Sequence, residues 1–312
     1  MASTASETKW YSSTSSTQTM RTWSEVISSF QDVPAEFQPA FPGSETTFPY
    51  TVYVPADRLS FLQKRNAMLL CLCADRLVVL EALRDRVKTA VYPWQEILYL
   101  EQGRILLYSW LKVCSRSGAS TATFNTVNVH QFEPIISTIR QTTTGSQSEN
   151  GQKEQSLREL AKFDYLSTLN FKFMNFGRQS IQPGDTVVNI AYQPDRCLKT
   201  FTLFHKTLFS QYATGHLTIL TGKELILITE SKRTKMTHEP LYGGVFTYIP
   251  LQRIQKIAFY RDAEDSPCLM NISLSDAMHI EVEFARDNPD AEALKNVAKR
   301  EKCEARILVS LD

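Results

Sequence analysis

The sequence lacks the features that identify secreted, membrane-spanning and metal-binding proteins. Its six cysteines are scattered over 312 residues, with no Cys-x-x-Cys pair and no spacing typical of a zinc site. No apolar run approaches the roughly 20 residues that a membrane-spanning helix needs. Residues 1–20 are rich in serine and threonine and contain no apolar segment typical of a signal peptide. We therefore expect a cytoplasmic protein in a reducing compartment, without a metal or other cofactor.

Catalytic motifs are missing as well. The chain contains no His-Glu-x-x-His, no Gly-x-Ser-x-Gly, no glycine-rich phosphate loop and no Gly-x-Gly-x-x-Gly. Its five histidines occur singly, without a second ligand or a nucleophile at a telling spacing. We predict that the protein is not an enzyme. A deep pocket that brought Cys114 or His130 together with a carboxylate would favour an enzymatic or small-molecule role instead.

An excess of one charge is also absent. The formal net charge is +1; residues 1–140 carry 13 basic and 12 acidic side chains, and residues 141–312 carry 21 of each. Nucleic acid binding depends mainly on neutralising phosphates, so this balance argues against a nucleic acid partner. The length suits two domains, and a hydrophobic content of 43% is ordinary for globular proteins.

A pair of β-strands joined by a tight turn occurs twice in the sequence. Residues 215–230, GHLTILTGKELILITE, place apolar side chains at alternating positions on both sides of Thr221-Gly222-Lys223. Residues 67–81, AMLLCLCADRLVVLE, have the same layout around Ala74-Asp75. Three flanking blocks recur in the same order: Pro42-Gly43 with Pro183-Gly184, residues 53–58 with 192–196, and residues 92–97 with 249–254. This repetition predicts one domain duplicated in tandem.

The predicted boundaries follow from the repeat and from local composition. We expect a disordered tail at 1–20, a first domain at 21–141, a Gly/Ser/Gln-rich linker at 142–155 and a second domain at 156–312. Apolar spacing predicts a leading helix in each domain, at residues 23–30 and 156–176, and a closing helix in each, at 132–140 and 290–302. Residues 82–90 are predicted to be a charged loop. The apolar segment Ile307 to Leu311 could be a strand or could pack between the domains.

The second copy resembles bacterial pleckstrin-homology-like and GRAM-like domains. The resemblance rests on LTGKELILITE, YIPLQRIQKIAFY and LMNISLSDAMHIEVEF followed by a helix, and it covers most of residues 183–302 and, more weakly, 42–140. It implies a mainly β fold with capping helices (α+β): two tandem half-open β-barrels, each closed by a C-terminal helix and preceded by an amphipathic helix. These motifs are packing signatures, so the resemblance implies a binding or scaffolding module rather than a particular activity.

The loop after the repeated hairpin is basic in both copies. Its cations are Arg84, Arg86 and Lys88 in the first copy and Lys232, Arg233, Lys235 and His238 in the second. Arginine and lysine favour phosphate and carboxylate, so these loops are candidates for a lipid headgroup or an acidic peptide. The alternative is an ordinary solvated loop.

A second set of basic residues follows from the resemblance. In pleckstrin-homology domains, phosphoinositides are usually held around the loop between the first two strands. The corresponding residues here are Arg58, Lys64 and Arg65 in the first copy and Arg196, Lys199 and Lys206 in the second. They do not form the dense basic pattern of that site, because the second set is spread among apolar residues.

Together these observations favour a non-enzymatic scaffold that binds an unknown protein or peptide partner through barrel rims and sheet edges. The alternative is a peripheral membrane module in which two basic loops on one chain bind anionic headgroups together. A homo-oligomer is compatible with both hypotheses.

Overall fold

The computed structural model describes residues 23–44, 47–58, 64–105, 108–145, 153–203, 206–213, 215–230, 243–261, 266–301 and 308–311. The chain is mainly β with a few helices, as predicted. The predicted tail at 1–20, residues 146–152 of the predicted linker and the basic loop with Lys232, Arg233, Lys235 and His238 lie outside the described residues.

The first half consists of strands followed by one helix. The strands are β1 (Glu25–Ile27), β2 (Tyr50–Val54), β3 (Asp57–Arg58), β4 (Lys64–Arg65), β5 (Met68–Leu72), β6 (Arg76–Ala82), β7 (Val87–Pro93), β8 (Ile97–Ile105), β9 (Tyr108–Ser115) and β10 (Gly118–Asn125). The helix is α1 (Val129–Thr144), which ends at Gly145 in the left-handed conformation.

The second half begins with helices and ends with a short strand. The helices are α2 (Lys153–Ala161), α3 (Leu166–Leu169), α4 (Phe171–Ser180) and α5 (Pro289–Glu301). The strands are β11 (Val187–Gln193), β12 (Arg196–Leu203), β13 (Lys206–Ala213), β14 (His216–Thr221), β15 (Glu224–Thr229), β16 (Gly244–Pro250), β17 (Lys256–Tyr260), β18 (Cys268–Ser275), β19 (Met278–Phe284) and β20 (Leu308–Leu311).

The same order of strands occurs in both halves. Strands β2, β5, β6 and β7 form a meander, β8 to β10 form a second one, and α1 follows; β11, β14, β15 and β16, then β17 to β19, then α5 repeat this order. Both predicted hairpins, β5–β6 and β14–β15, are confirmed. In each half a smaller hairpin, β3–β4 or β12–β13, lies between the first and second strands of the meander.

The two halves share one sheet, contrary to the prediction that each half forms a sheet of its own. Strand β8 of the first half pairs antiparallel with β16 of the second, from Leu100 opposite Tyr248 to Arg104 opposite Gly244. We call this pairing the seam. It produces a seven-stranded sheet, in the order β10-β9-β8-β16-β15-β14-β11. Among the described residues no sheet closes into a barrel.

The apolar core also crosses the seam. Phe132 and Ile139 of α1 belong to one buried cluster with Ile226 and Tyr248 of the second half. Phe163, after α2, is completely buried in the same cluster. The helical segment that precedes β11 therefore contributes, through Phe163 and Phe173, to the core that the two halves share. The shared core makes the halves one body rather than two hinged domains.

Three predicted elements need correction. Residues 23–30 do not form a leading helix: β1 pairs with β2, because an eight-residue helix is marginal alone and β-branched Val26 and Ile27 favour a strand. The predicted loop at 82–90 contains only a tight turn, with the Leu83 amide donating to the Arg86 carbonyl at 2.8 Å. The single helix predicted at 156–176 is broken twice, by a turn at 162–165 and again at Asn170, whose side chain caps α4 by accepting from the Phe173 amide.

Candidate functional site

The outer edge of β7 presents unpaired backbone at the surface. This seven-residue strand pairs with β6 on one side, and no other described strand lies along its second side. Lys88 and Thr89 are exposed, and Val91 is 43% exposed. Within the described part of the chain, no side chain donates to or accepts from the backbone of residues 87–92. An edge of this kind is a template for another strand.

The equivalent edge in the second half is occupied. Strand β16 is the fourth strand of its meander, as β7 is in the first half, and its outer edge forms the seam with β8 over five residue pairs. Side chains reinforce the seam: the Arg104 guanidinium lies 5.8 Å from the Phe246 ring centroid and donates to Glu133 at 2.8 Å. The fold therefore uses this edge position for strand pairing once within the chain.

One glycine allows the backbones of the seam to approach, and a second accommodates the tryptophan on the other side of β8. Gly243 has a φ of 114°, and a Cβ there would lie 2.0 Å from the Arg104 carbonyl oxygen. A Cβ at Gly103 would lie 2.2 Å from the Trp110 ring. Trp110 in turn donates its indole N–H to Glu101 at 2.8 Å. No residue with a side chain fits at Gly243 without moving the seam.

The edge of β11, at the far end of the same sheet, is capped by side chains. The Val187 amide donates to Glu159 Oε2 at 2.6 Å, and Lys162 Nζ donates to the Val187 carbonyl at 2.6 Å. Farther along, the Tyr192 amide donates to Asp290 Oδ2 at 3.0 Å. Strand addition at β11 would have to displace these contacts, whereas β7 carries none.

The predicted basic residues of the first copy flank the β7 edge. Arg84 and Arg86 lie in the β6–β7 turn and Lys88 lies on β7; all three are exposed. Among the described residues, none of the three forms an ion pair or a side-chain hydrogen bond. Asp85 lies between the two arginines and is exposed as well. These cations therefore do not stabilise the described fold and are available to a ligand.

The second predicted set lies on the small hairpins. Arg58 pairs with Lys64 across β3–β4, and Arg196, Lys199 and Lys206 lie along β12–β13; only the backbone of these five is described. Arg65 has a structural role instead, because its guanidinium donates to the Thr123 carbonyl at 2.6 Å and to the Pro55 carbonyl at 3.0 and 3.2 Å. These bonds hold β4 against β10 and occupy donors that a phosphate would need.

A buried ionic cluster joins the halves and was not foreseen from the sequence. Arg140 on α1 donates to Glu224 on β15 at 2.6 Å and to the Ser180 carbonyl at 2.8 Å. Its guanidinium also lies 3.9 Å from the centroid of the Tyr248 ring. Gln182 adds a further donor to Glu224 at 3.3 Å. The cluster therefore fixes α1 of the first half on the sheet of the second.

Burial and ionic attraction act in opposite directions on Arg140, whereas burial and the charge of Glu224 act in the same direction on Asp185. Burial works against the charged form of Arg140, but attraction from Glu224 outweighs it and raises the pKa of the guanidinium. Burial and the neighbouring Glu224 charge raise the pKa of Asp185, although Lys223 Nζ lies 3.3 Å from its Oδ1. Two sequence signals were available: Arg140 lies on the apolar stripe of α1, and Glu224 is the first residue of the apolar strand β15.

The candidate residues for an enzymatic role do not form a site. Cys114 is buried with its Sγ 3.5 Å from the sulfur of Met278, and burial raises the pKa of its thiol. His130 is exposed at the start of α1. A cavity of about 220 Å³ beside α5 is lined by neither residue. In the described ranges, no three His, Cys, Asp or Glu side chains are placed to hold a metal.

Comparison with known proteins assigns no relationship. No helix among the described residues is long and apolar enough to cross a membrane. No protein-family model matches the chain, and no curated protein sequence matches it significantly.

Proposed function

We propose that the chain is a non-enzymatic scaffold of two pleckstrin-homology-like units merged along one sheet, and that the open edge of β7 binds an extended segment of a protein partner. The repeated order of seven strands and a closing helix supports the comparison with those domains. The edge would act by β-augmentation, in which main-chain hydrogen bonds supply affinity and alternate side chains supply selectivity.

The observation that carries this proposal is the seam. Strand β16 binds β8 along the edge that corresponds to the open edge of β7. Each main-chain hydrogen bond formed there would contribute about 0.5–1.5 kcal/mol net. Val91 and Thr89, both exposed, would contact the side chains of the added strand.

The test compares edge variants of the full chain in affinity capture from native lysate. Val91→Lys places a charge where the added strand must pack, without disturbing a buried position. The matched control is Val188→Lys, because Val188 is similarly exposed, at 38%, on the capped strand β11. We expect a stoichiometric partner that Val91→Lys loses at least about tenfold and Val188→Lys retains. Capture that is equal for both variants, or the absence of any stoichiometric partner, would contradict the proposal.

A second candidate function is binding to an anionic membrane surface. It is favoured by the unpaired cations Arg84, Arg86 and Lys88, which need no rearrangement to meet phosphate groups. Co-sedimentation with vesicles of neutral lipid alone, and of neutral lipid mixed with anionic lipid, tests this function. The unmodified chain is compared with a variant in which Arg84, Arg86 and Lys88 are all replaced by glutamine. Binding that rises with anionic lipid, falls with salt and is lost in the variant would support it. Binding that ignores anionic lipid would exclude it.

A further inference from the structure

We propose that β17 has a second strand-binding edge, covered in the single chain by the tail strand β20, and that its partner is the β7 edge of a second copy. This inference rests on the proposed function in one respect, since both use the open edge of β7. It adds the identity of a partner and a means of control. Copies would join head to tail once the tail is displaced.

Strand β17 corresponds to β8, the strand that already binds a fourth strand. Each begins the second meander of its half and pairs with the next strand along the chain. The recurring block at 92–97 and 249–254 aligns Leu100 to Arg104 with Ile257 to Arg261. Strand β16 covers the first of these edges, and β20 covers residues 256–259 of β17. The tail therefore occupies on β17 the place that β16 occupies on β8.

The tail covers this edge less extensively than a fourth strand does. It pairs with β17 in parallel over four residues, whereas the seam is antiparallel over five. Parallel pairing is slightly less stable per residue than antiparallel pairing. An antiparallel strand of β7's length would therefore compete effectively for the edge, provided that its local concentration is high enough.

The register of the seam can be transferred to the contact between copies. The aligned proline residues Pro93 and Pro250 make Val91 equivalent to Tyr248, so Val91 would face Ile257 and Ala90 would face Ala258. Lys88 would then face Tyr260, and no two like charges would be directly opposite each other. Apolar Val91 would extend the buried face to which Ile257 belongs.

Charges at the end of this contact predict its salt dependence. Arg86 in the turn before β7 would approach Arg261 after β17, and both are exposed. Their repulsion is screened by salt. Association between copies should therefore strengthen as ionic strength rises, which is the opposite of the behaviour expected for an anionic ligand on the same loop.

The contact joins the β7 edge of one copy to the β17 edge of another. Each pair of copies therefore keeps one free β7 edge and one free β17 edge. A heterologous contact of this kind produces rings or open chains rather than a closed dimer. The order of association should consequently grow with protein concentration. The tail would limit this growth by covering one of the two surfaces.

The test releases the tail in the full chain. Successive residues of a strand direct their amides to opposite sides, so Val309→Pro with Ser310→Pro removes a donor to β17 whichever residue supplies it. By sedimentation velocity we expect the weight-average mass of this variant to rise with concentration to about twice the monomer or more. Adding Val91→Lys should restore the monomer, and adding Val188→Lys should not.

A second variant without β20, truncated after Glu301, is tested in case the proline variant misfolds. A cooperative thermal unfolding transition shows whether each variant is folded. A folded, released chain that stays monomeric overturns the proposal. Association that survives Val91→Lys also overturns it, because another surface would then be responsible. Either result leaves the proposed function intact if a foreign partner still depends on Val91. If neither self-association nor capture of a foreign partner depended on Val91, the β7 edge would not be a strand-binding edge.

Discussion

Strands β7 and β16 hold the same position in the two halves, but of these two only β16 has a neighbour along its outer edge among the described strands. The difference lies in the chain around each strand. Beside β16, Gly243 allows close approach to β8, and Arg140 and Glu224 bind α1 of the first half to the second. Beside β7 there are exposed cations and no capping contact. One edge was used to join the halves, and the other remained open to partners outside the fold.

The largest change in the free energy of unfolding is expected from the buried ion pair beside the occupied edge of β16. Arg140→Met would leave Glu224 buried without its partner, beside Asp185, and both carboxyl groups are inaccessible to solvent. Removing one member of a buried pair typically costs about 3–5 kcal/mol. We expect a loss of that size in the free energy of unfolding, measured by urea denaturation.

The control for this prediction removes the second charge as well. Arg140→Met with Glu224→Gln should recover part of the loss, because no unpaired carboxylate remains and Gln182 keeps an acceptor. A surface pair provides a further reference: Asp164→Ala, which removes the ion pair with Arg178 but keeps the bond from Arg178 to the Leu160 carbonyl, should cost about 1 kcal/mol or less. Equal losses in the single and double variants would mean that the charge of Glu224 is not what the arginine compensates.

A smaller effect is expected from a direct change in the seam. Gly243→Ala would force a Cβ against the Arg104 carbonyl from a backbone conformation that favours glycine. Strain of this kind costs about 1–3 kcal/mol. We expect amide hydrogen exchange in β8 and β16 to accelerate together, while exchange in β5 and β6 is unchanged.

A glycine on the neighbouring hairpin supplies the control. A Cβ at Gly222, in the β14–β15 turn, would meet no atom within 4 Å. Gly222→Ala should therefore leave the exchange of the seam amides unaltered. If Gly243→Ala had an equally small effect, the seam would have to be more adaptable than its backbone contacts indicate.

The sequence predicted the units of the fold better than their association. Both hairpins and the closing helices were found because alternation and helical spacing are local signals. The seam was missed because edge pairing between distant strands leaves no periodic trace in the sequence. The 23–30 segment was assigned to a helix because Trp23, Val26, Ile27 and Phe30 have helical spacing, and pairing with β2 overrode that spacing.

The candidate site was predicted in part for a similar reason. Arg84, Arg86 and Lys88 could be identified from the sequence as cations of a surface loop, and the structure shows that they are exposed. Arg65 could not be separated from them, because its role depends on the carbonyls of Pro55 and Thr123, one of which is distant in sequence. The sequence shows which residues are charged, whereas tertiary contacts determine which of these charges can bind a ligand.

The smallest change in the free energy of unfolding is expected at the edge of β11. This edge is capped by side chains, whereas the edge of β7 is open and that of β16 is paired with a strand. Burial alone would raise the pKa of Glu159, but hydrogen bonds from Lys162 and the Val187 amide outweigh it and lower that pKa below 4.5. The carboxylate therefore contributes stability that is full above pH 4.5 and is lost as the pH falls through its folded pKa.

Glu159→Gln should reduce the free energy of unfolding at neutral pH by about 1 kcal/mol and flatten its decline between neutral and acidic pH. The cap itself is read out by amide exchange at Val187, which should accelerate in the variant while exchange at Tyr192, held by Asp290, stays the same. If uncapping also made the chain self-associate, capping side chains would be what separates a closed edge from an open one. If exchange at Val187 were unaffected, the protection of β11 would have to come from the packing of α5 against this strand rather than from the carboxylate. The contrast with β7 would then be one of covered surface instead of hydrogen bonding.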